Sequence, residues 1–542
     1  MTFDLMPATR RDAMTSAGLW RDETLLDPFR RHVAAGPRKP AVIASRAEAG
    51  DTVRISYGEL DALSDRLAIG LMRRGVGEGD VVAFQLPNWW QFPVLHLACL
   101  KVGAVSNPLM VIFRERELTF MLGLAETKVL VVPDRFRNVD HGAIARAVQA
   151  QLPSLAYVFV VDGEGEEAFD RLLAADITEA ERATLAARRL SPDAVIELLY
   201  TSGTTGEPKG VSHTSNTMLA NLVPFAERLR LGPDDVVHMP SPMAHQLGFM
   251  YGLVLPAMLG ATAVLQDIFV AEEMARQITQ EGATFTMGAT PFLNDLADHC
   301  IRTGTRTPTL RVFVSAGAPI PRPLVAKAQD ALGAAVISAW GMSENGAVTT
   351  TRLEDPQEKV TATDGCPLPG MEVRVVDVSG QPLAVGEDGM LQVRGCSNFV
   401  GYLKRPGLAQ VDRDGWFDTG DIARMDADGY IRIAGRSKDI IIRGGENIPV
   451  VEVENLLFKH PAVSAVAIVG YPDSRLGERA CAFVIPRAGM SFSFEDMVEY
   501  LKAQKMAMQY IPERLQVVDA LPQTPSGKIQ KFRLREMARD GN

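Results

Sequence analysis

Residues Leu198 to His213 read LLYTSGTTGEPKGVSH. Ahead of them, Val195-Ile196-Glu197-Leu198-Leu199-Tyr200 has the apolar, β-branched character of a buried strand. Four hydroxyls follow (Thr201, Ser202, Thr204, Thr205), with three glycines (Gly203, Gly206, Gly210) and one lysine, Lys209. Glycine reaches positive φ without strain, so backbone N–H groups in such a turn can converge on an anion. Hydroxyls add donors and lysine adds a point charge. That chemistry suits a polyphosphate. The stretch is not the GxxxxGK[ST] loop of P-loop NTPases. Gly203 and Gly206 are too close together, and Gly210 follows the lysine where a metal-binding hydroxyl would be needed.

The segment YTSGTTGEPKGV resembles the signature loop of the adenylate-forming superfamily, which includes acyl-CoA synthetases, adenylation domains and luciferases. By that resemblance Thr201, Ser202, Gly203, Thr204, Thr205, Gly206 and Lys209 hold the β- and γ-phosphates of ATP. The other parts of the family pattern occur in order along the chain. Val312-Phe313-Val314-Ser315 runs into Ala316-Gly317-Ala318-Pro319, which resembles the segment lining adenine. Ala335 to Ser338 runs into Ala339-Trp340-Gly341-Met342-Ser343-Glu344. There the resemblance stacks Trp340 on adenine, sets Gly341 and Ser343 beside the nucleotide, and makes Glu344 the ligand of Mg²⁺, a hard ion that takes oxygen donors. Trp340 and Ser343 depart from the commoner Tyr and Thr, but keep an aromatic face and a hydroxyl. Gly415-Trp416-Phe417-Asp418-Thr419-Gly420-Asp421 reads as a tight turn ending in a carboxylate, suited to a vicinal diol. The family match makes Asp421 the ribose ligand, with Arg436 reaching ribose or α-phosphate. Lys438 matches the interdomain hinge, Gly444 and Gly445 the face that lines the CoA tunnel, and Lys528 the catalytic lysine. Thr204, Glu344 and Lys528 are the expected catalytic residues.

The acyl side is read from Pro242-Met243-Ala244-His245-Gln246-Leu247-Gly248-Phe249. His245, Leu247, Gly248, Gly288, Gly317 and Gly341 are the expected pocket residues, the glycines leaving volume for the acid. Amino-acid-activating relatives carry Asp where this chain has Gln246, and the next acidic residue downstream is Asp267. The expected substrate is therefore an apolar carboxylic acid: alicyclic, aromatic, or a short to medium chain. The nearest resemblance is to cyclohexanecarboxylate–CoA ligases and medium-chain acyl-CoA synthetases. ATP, Mg²⁺ and CoA are the implied cofactor and co-substrates. The alternatives are an adenylation enzyme loading a carrier protein, and a non-catalytic ATP-binding member. The end of the chain at Asn542, soon after Lys528, favours CoA as acceptor.

At 542 residues the chain is too long for one core. Alternating strands and helices predict an α/β fold: a large N-terminal domain of doubly wound sheets, and a small mobile α+β C-terminal domain. The expected boundaries are 1–436 and 437–542, with a β-rich subdomain at about 365–434. Glu164 to Arg189 is expected to form a solvated helix and linker. Gly248 to Leu265 lacks charge but holds Gly252, Pro256 and Gly260, so it reads as a buried helix running into a buried strand, not a membrane span. Net charge is −10, which disfavours nucleic acid. From Lys438 onward 14 Lys and Arg face 13 Asp and Glu, so the acidity lies in the N-terminal part. The five cysteines form no CxxC or Cys/His cluster, and residues 1–14 lack the apolar run of a signal peptide, so a cytoplasmic enzyme is expected. A homodimer is one possible assembly. Pro522 to Lys528 fits the P-x₄-G-K pattern of relatives controlled by lysine acetylation, which implies an acetyltransferase and deacetylase acting on Lys528.

Overall fold

A computed structural model describes residues 8–201, 208–317, 320–439, 441–443, 446–473, 476–504, 506, 508–524 and 527–540. Two large sheets carry the N-terminal part. In the seven-stranded sheet the order is Gly401–Tyr402, Lys209–Thr214, Val195–Thr201, Val105–Pro108, Val81–Phe84, Val129–Pro133, Tyr157–Val161. In the nine-stranded sheet it is Cys366–Pro367, Gly346–Thr350, Ala335–Met342, Val312–Ser315, Phe285–Gly288, Val236–Met239, Thr262–Gln266, Pro40–Arg46, Asp51–Ser56. The inner strands pair in parallel and are buried along their length, because helices cover both faces.

One large core joins the two sheets. It takes in the helices Tyr57–Arg73 and Gln91–Val102. Ser56 caps the first of these, and Glu59 closes a capping box with it, so the Leu60–Leu67–Leu71 stripe starts in phase with the core. A second core lies on the other face of the nine-stranded sheet, under the helices Ala271–Glu281, Thr290–Thr303 and Arg322–Leu332.

The stretch without charge behaves as expected for a buried segment. Phe249–Val254 is π-helical, Leu255–Leu259 is α-helical, and Thr262–Gln266 is a central strand. The bulge of a π-turn frequently marks a functional region. Among the described residues no helix is long and apolar enough to cross a membrane. The helix expected over Glu164 to Arg189 is shorter: two single turns, Gly165–Glu167 and Phe169–Arg171, precede a helix only at Glu179–Ala187. Its start is set by Thr178, whose hydroxyl and the Glu181 carboxylate make a capping box.

The β-rich part is a four-stranded antiparallel sheet, Met371–Val376, Gly389–Gly395, Phe417–Met425, Ile431–Arg436. Beyond it a sheet of five strands is built around the long pair Val463–Asp473 and Gly477–Pro486. It has a core on each face, one under Val450–Phe458 and Phe494–Ala503, the other under Lys531–Asp540. Phe458 reaches across to the second core of the N-terminal part.

Candidate active site

The loop of hydroxyls and glycines after Tyr200 is the connection of a hairpin. Val195–Thr201 and Lys209–Thr214 are antiparallel, with Thr201 opposite Lys209 at the root of the loop. An anion there would be held by loop N–H groups, hydroxyls and Lys209, without the helix N-terminus of a nucleotide-binding βα unit. Ser202, Gly203, Thr204, Thr205 and Gly206 lie outside the described residues, as do Ala318, Pro319, Gly444 and Gly445.

Lys209 is tied to Glu344 through an aromatic ring. Its ammonium lies 4.7 Å from the centroid of the Tyr402 ring, a cation–π contact. Tyr402 comes from the short edge strand that pairs with Val211 and Ser212. Its hydroxyl donates to Glu344 Oε1 at 2.7 Å. Glu344 itself is buried, and its backbone carbonyl accepts from Phe399 N at 2.6 Å. Burial raises the Glu344 pKa, while Tyr402, Arg436 and Lys209 lower it. A single carboxylate fits Mg²⁺, which commonly takes one or two protein carboxylates and completes its shell from phosphates and water. Among the described residues no group of three or more His, Cys, Asp or Glu gathers as a metal site.

Asp421 does not end a turn, as its sequence context suggested. It sits inside the strand Phe417–Met425, directly opposite Arg436 on Ile431–Arg436. Gly420, at φ +70°, and a register shift after Ile422 bend this strand, so the turn-like residues mark a distortion within a strand. Arg436 Nε contacts Asp421 Oδ1 at 2.8 Å, and the Trp340 indole N–H donates to Oδ2 at 2.9 Å. Each carboxylate oxygen keeps a further lone pair for a ribose hydroxyl. Trp340 and Gly341 lie within the strand Ala335–Met342.

Lys528 arrives from the C-terminal part. Its turn is closed by Gly527 N→Thr524 O and Thr524 N→Lys528 O, both 2.8 Å, and by Lys528 N→Thr524 Oγ1 at 3.0 Å. Gly527 has φ +81°, and a Cβ there would stand 3.2 Å from Ala289 Cβ and 3.5 Å from Pro291 Cγ. The turn therefore abuts the start of the helix Thr290–Thr303. Lys528 keeps solvent contact along its length, yet its ammonium is surrounded by charge: Arg436 and then burial push its pKa down to about 8, against Asp421, Asp439 and Glu344. Its field also reaches His245, which burial and Lys528 hold at about 4. Thus Glu344, Asp421, Arg436 and His245, from separate elements, each interact electrostatically with Lys528. Lys438 lies in the helical turn Ser437–Asp439, next to this cluster in the chain.

The glycines expected to leave room for the acid do something else. A Cβ on Gly341 would stand 1.8 Å from the Gly346 carbonyl oxygen, and one on Gly248 would stand 2.2 Å from that of Pro242. Both are glycine because backbone passes backbone there. A Cβ on Gly288 would stand 3.1 Å from the Phe292 ring. Only Gly317, at φ +78°, has open space around its missing side chain among these four.

Three supporting groups escaped the sequence. His213, the last residue of the opening stretch, pairs Nε2 with the Ser343 carbonyl at 2.7 Å and Nδ1 with Thr217 Oγ1 at 3.1 Å. Tyr251 donates to Asn221 Oδ1 and accepts from Ala347 N, both at 2.7 Å, bracing the turn that carries Glu344. Tyr402 is the third. The conjunction of His213 with the loop could have been noticed; nothing in the sequence links Tyr402 to Glu344, 58 positions away.

The family described as AMP-binding enzyme matches residues 29–403, and the AMP-binding enzyme C-terminal domain matches 452–528. The chain is 37% identical over 530 residues to the medium-chain fatty-acid–CoA ligase of Escherichia coli (strain K12), covering 97% of this chain and 92% of that one. Among solved structures, ATP-bound MatB from Rhodopseudomonas palustris superposes with a TM-score of 0.84 at 29% identity, covering 96% of this chain and 99% of the other. Apo MatB from the same organism, over the same shares of the two chains, reaches 0.73.

Proposed function

This chain belongs to the AMP-binding enzymes, and from that premise we propose that it activates an apolar, uncharged-chain carboxylic acid of short to medium length or with a single ring. The reaction is that of an AMP-forming carboxylic acid–CoA ligase, with ATP and CoA as co-substrates and Mg²⁺ as cofactor. A carboxylate is a poor electrophile; attack on the α-phosphate of ATP makes acyl-AMP and pyrophosphate, and the CoA thiol then displaces AMP. Such chemistry is mostly positioning and charge neutralisation.

In our reading Thr201 and Lys209, with the loop between them, hold the leaving pyrophosphate. Thr204 and Ser202 to Gly206 belong to that loop. Mg²⁺ held at Glu344 would offset phosphate charge. Asp421 takes the ribose, Arg436 the ribose or α-phosphate, and Trp340, Gly341, Ser343 and Gly317 to Pro319 frame the adenine. Lys528 neutralises charge that develops between carboxylate and α-phosphate. His245, Leu247 and the open space at Gly317 border the acyl chain. We assign residues 1–436 to the N-terminal domain and 437–542 to a C-terminal domain that turns about Lys438, so that Lys528 withdraws and the face with Gly444 and Gly445 meets CoA.

The observation that carries this reading is the convergence of Lys528 on Arg436, Asp421 and Glu344. The better superposition on the ATP-bound relative than on its apo form supports a nucleotide-ready arrangement. The name of the 37% identical relative supports a hydrocarbon acid. Five free, buried cysteines support a reducing, cytoplasmic setting. The exposed position of Lys528 suits control by acetylation, which would remove the cation.

The test is a panel of acids assayed for AMP and acyl-CoA formation. Hexanoate or cyclohexanecarboxylate should exceed dicarboxylates and amino acids by about a hundredfold in kcat/KM at pH 7.5, since an unpaired charge in an apolar site is costly. Equal rates for an amino acid would overturn the substrate reading. AMP formation without acyl-CoA would favour a carrier-protein acceptor.

A further inference from the structure

One buried acid takes no part in the reaction above. Glu197 is the third residue of Val195–Thr201, on the strand that leads into the phosphate loop, and is fully buried. Its cross-strand neighbours are Ser106 on one side and His213 on the other. Neither carries charge. His213 has both ring nitrogens engaged and is pushed down to about 4 by burial. Ser106 pairs with His96 Nδ1 at 2.9 Å, and burial pushes His96 down to about 3. Cys99, on the same helix as His96, is pushed up to about 12. The group that reaches the Glu197 carboxyl is Gln246: its amide nitrogen, turned toward Glu197, lies 3.1 and 3.2 Å from the two oxygens.

Gln246 stands between His245 and Leu247, so an acid does lie behind the position read as uncharged. Burial pushes Glu197 up to about 8, opposed by the Gln246 hydrogen bond. Two cations bear on the residues around it, Lys528 on His245 and Arg10 on His213, and neither is among the groups that shift Glu197 itself. An amide can serve either form of the acid. A neutral carboxyl donates to the amide oxygen, and a carboxylate accepts from the amide nitrogen after the amide turns over. The pair stays satisfied in both states, while the charge behind the acyl site changes.

We propose that Glu197, acting through Gln246, sets the charge preference of the acyl pocket: as a neutral acid it favours plain hydrocarbon acids, and as a carboxylate it favours acids bearing an ammonium group. A buried negative charge repels the incoming carboxylate and attracts an ammonium, and in a partly dry site that difference is large. Glu197 is a positioning and specificity residue, not a catalytic one. The proposal rests on the ligase reading above.

The experiment measures kcat/KM by pyrophosphate release, on the full chain, for hexanoate, 2-aminohexanoate and 6-aminohexanoate between pH 6.5 and 9. The quantity read is the ratio of each amino acid to hexanoate. Titration of Lys528 affects all three acids alike and cancels in the ratio. In the wild type the ratio for at least one amino acid should rise about tenfold as the pH passes through 8. In Glu197→Gln it should stay flat. Gln246→Leu should move the rise to higher pH, because it removes the hydrogen bond that favours the carboxylate. A flat wild-type ratio, or a rise that survives in Glu197→Gln, overturns the proposal. If Glu197→Gln does not fold, the wild-type profile and the Gln246→Leu shift still decide. If hexanoate is not activated at any pH, the substrate reading is what fails, and the same ratio is taken with the acid that the panel does activate and its amino derivative.

Discussion

Trp340 shows how one atom can matter at a site whose shape is otherwise set by backbone. A phenyl ring could fill the same space over a nucleotide base, but only the indole presents an N–H to Asp421 Oδ2. Arg436 holds the other oxygen. The carboxylate is thus held oriented, in a position almost closed to solvent, and in the proposed reading would meet the ribose in that orientation. Removing one hydrogen bond to a charged group costs about 1.5–3 kcal/mol. Trp340→Phe should raise the KM for ATP by about tenfold or more, with kcat less affected. It should also narrow the preference for ATP over 2′-deoxy-ATP, because the ribose contact is what it loosens. An unchanged preference would mean that the indole only packs.

At the scale of elements, the turn that presents Lys528 depends on one backbone angle. Gly527 at φ +81° lets Thr524 bond both to Gly527 N and to Lys528. Any L-residue there pays about 1–2 kcal/mol, and its Cβ would press on Ala289. Gly527→Ala should slow acyl-AMP formation by about tenfold while leaving conversion of supplied acyl-AMP and CoA to thioester near the wild-type rate. In the proposed mechanism only the first step needs Lys528 seated against the α-phosphate. Measuring both half-reactions checks this, and equal slowing of the two would count against the separate roles of the two steps. The hairpin around Gly341 follows the same logic in the opposite sense. There the glycine is required by a neighbouring carbonyl and leaves no room for substrate.

Across the whole molecule, four histidines are sealed in the core as neutral rings, and His245 in the candidate site is held down with them. His96, His141, His213 and His238 are all buried, and burial lowers them to between about 3 and about 4. In the unfolded chain each binds a proton near its ordinary value of 6.5, so the unfolded state binds more protons below that pH. Stability should therefore fall as pH drops from 6.5 toward 4, and these groups contribute no slope above 6.5. Each adds about 1.4 kcal/mol per pH unit inside that window. Thermal melts between pH 7.5 and 4.5 should show a Tm that falls steeply below 6.5 and, because the neutral buried Glu197 contributes one proton in the opposite sense, falls gently from 6.5 to 7.5. His238→Gln should reduce the slope by one proton's worth. A Tm independent of pH down to 5 would contradict the burial of these rings.

Much of this protein is local in its chemistry, and that part can be read along the chain. The loop of hydroxyls, glycines and Lys209, the carboxylate Glu344 after a strand, and Lys528 on a Thr-Pro-Ser-Gly turn all act through residue type and near neighbours. The capping box at Ser56 and the buried run after Gly248 obey short-range rules of the same kind. What a residue touches across the fold is another matter, because it depends on which strands lie side by side. Tyr402 meets Glu344 only because its short strand pairs with Lys209–Thr214. Asp421 meets Arg436 by strand register, and Trp340 by the meeting of two sheets. Gly248 and Gly341 looked like room for a substrate, and only the approach of distant backbone shows them to be packing. Glu197 looked like one more residue of a buried strand. Its burial without a cation, behind Gln246, is decided by sheet order and packing, and these also decide whether it carries a charge.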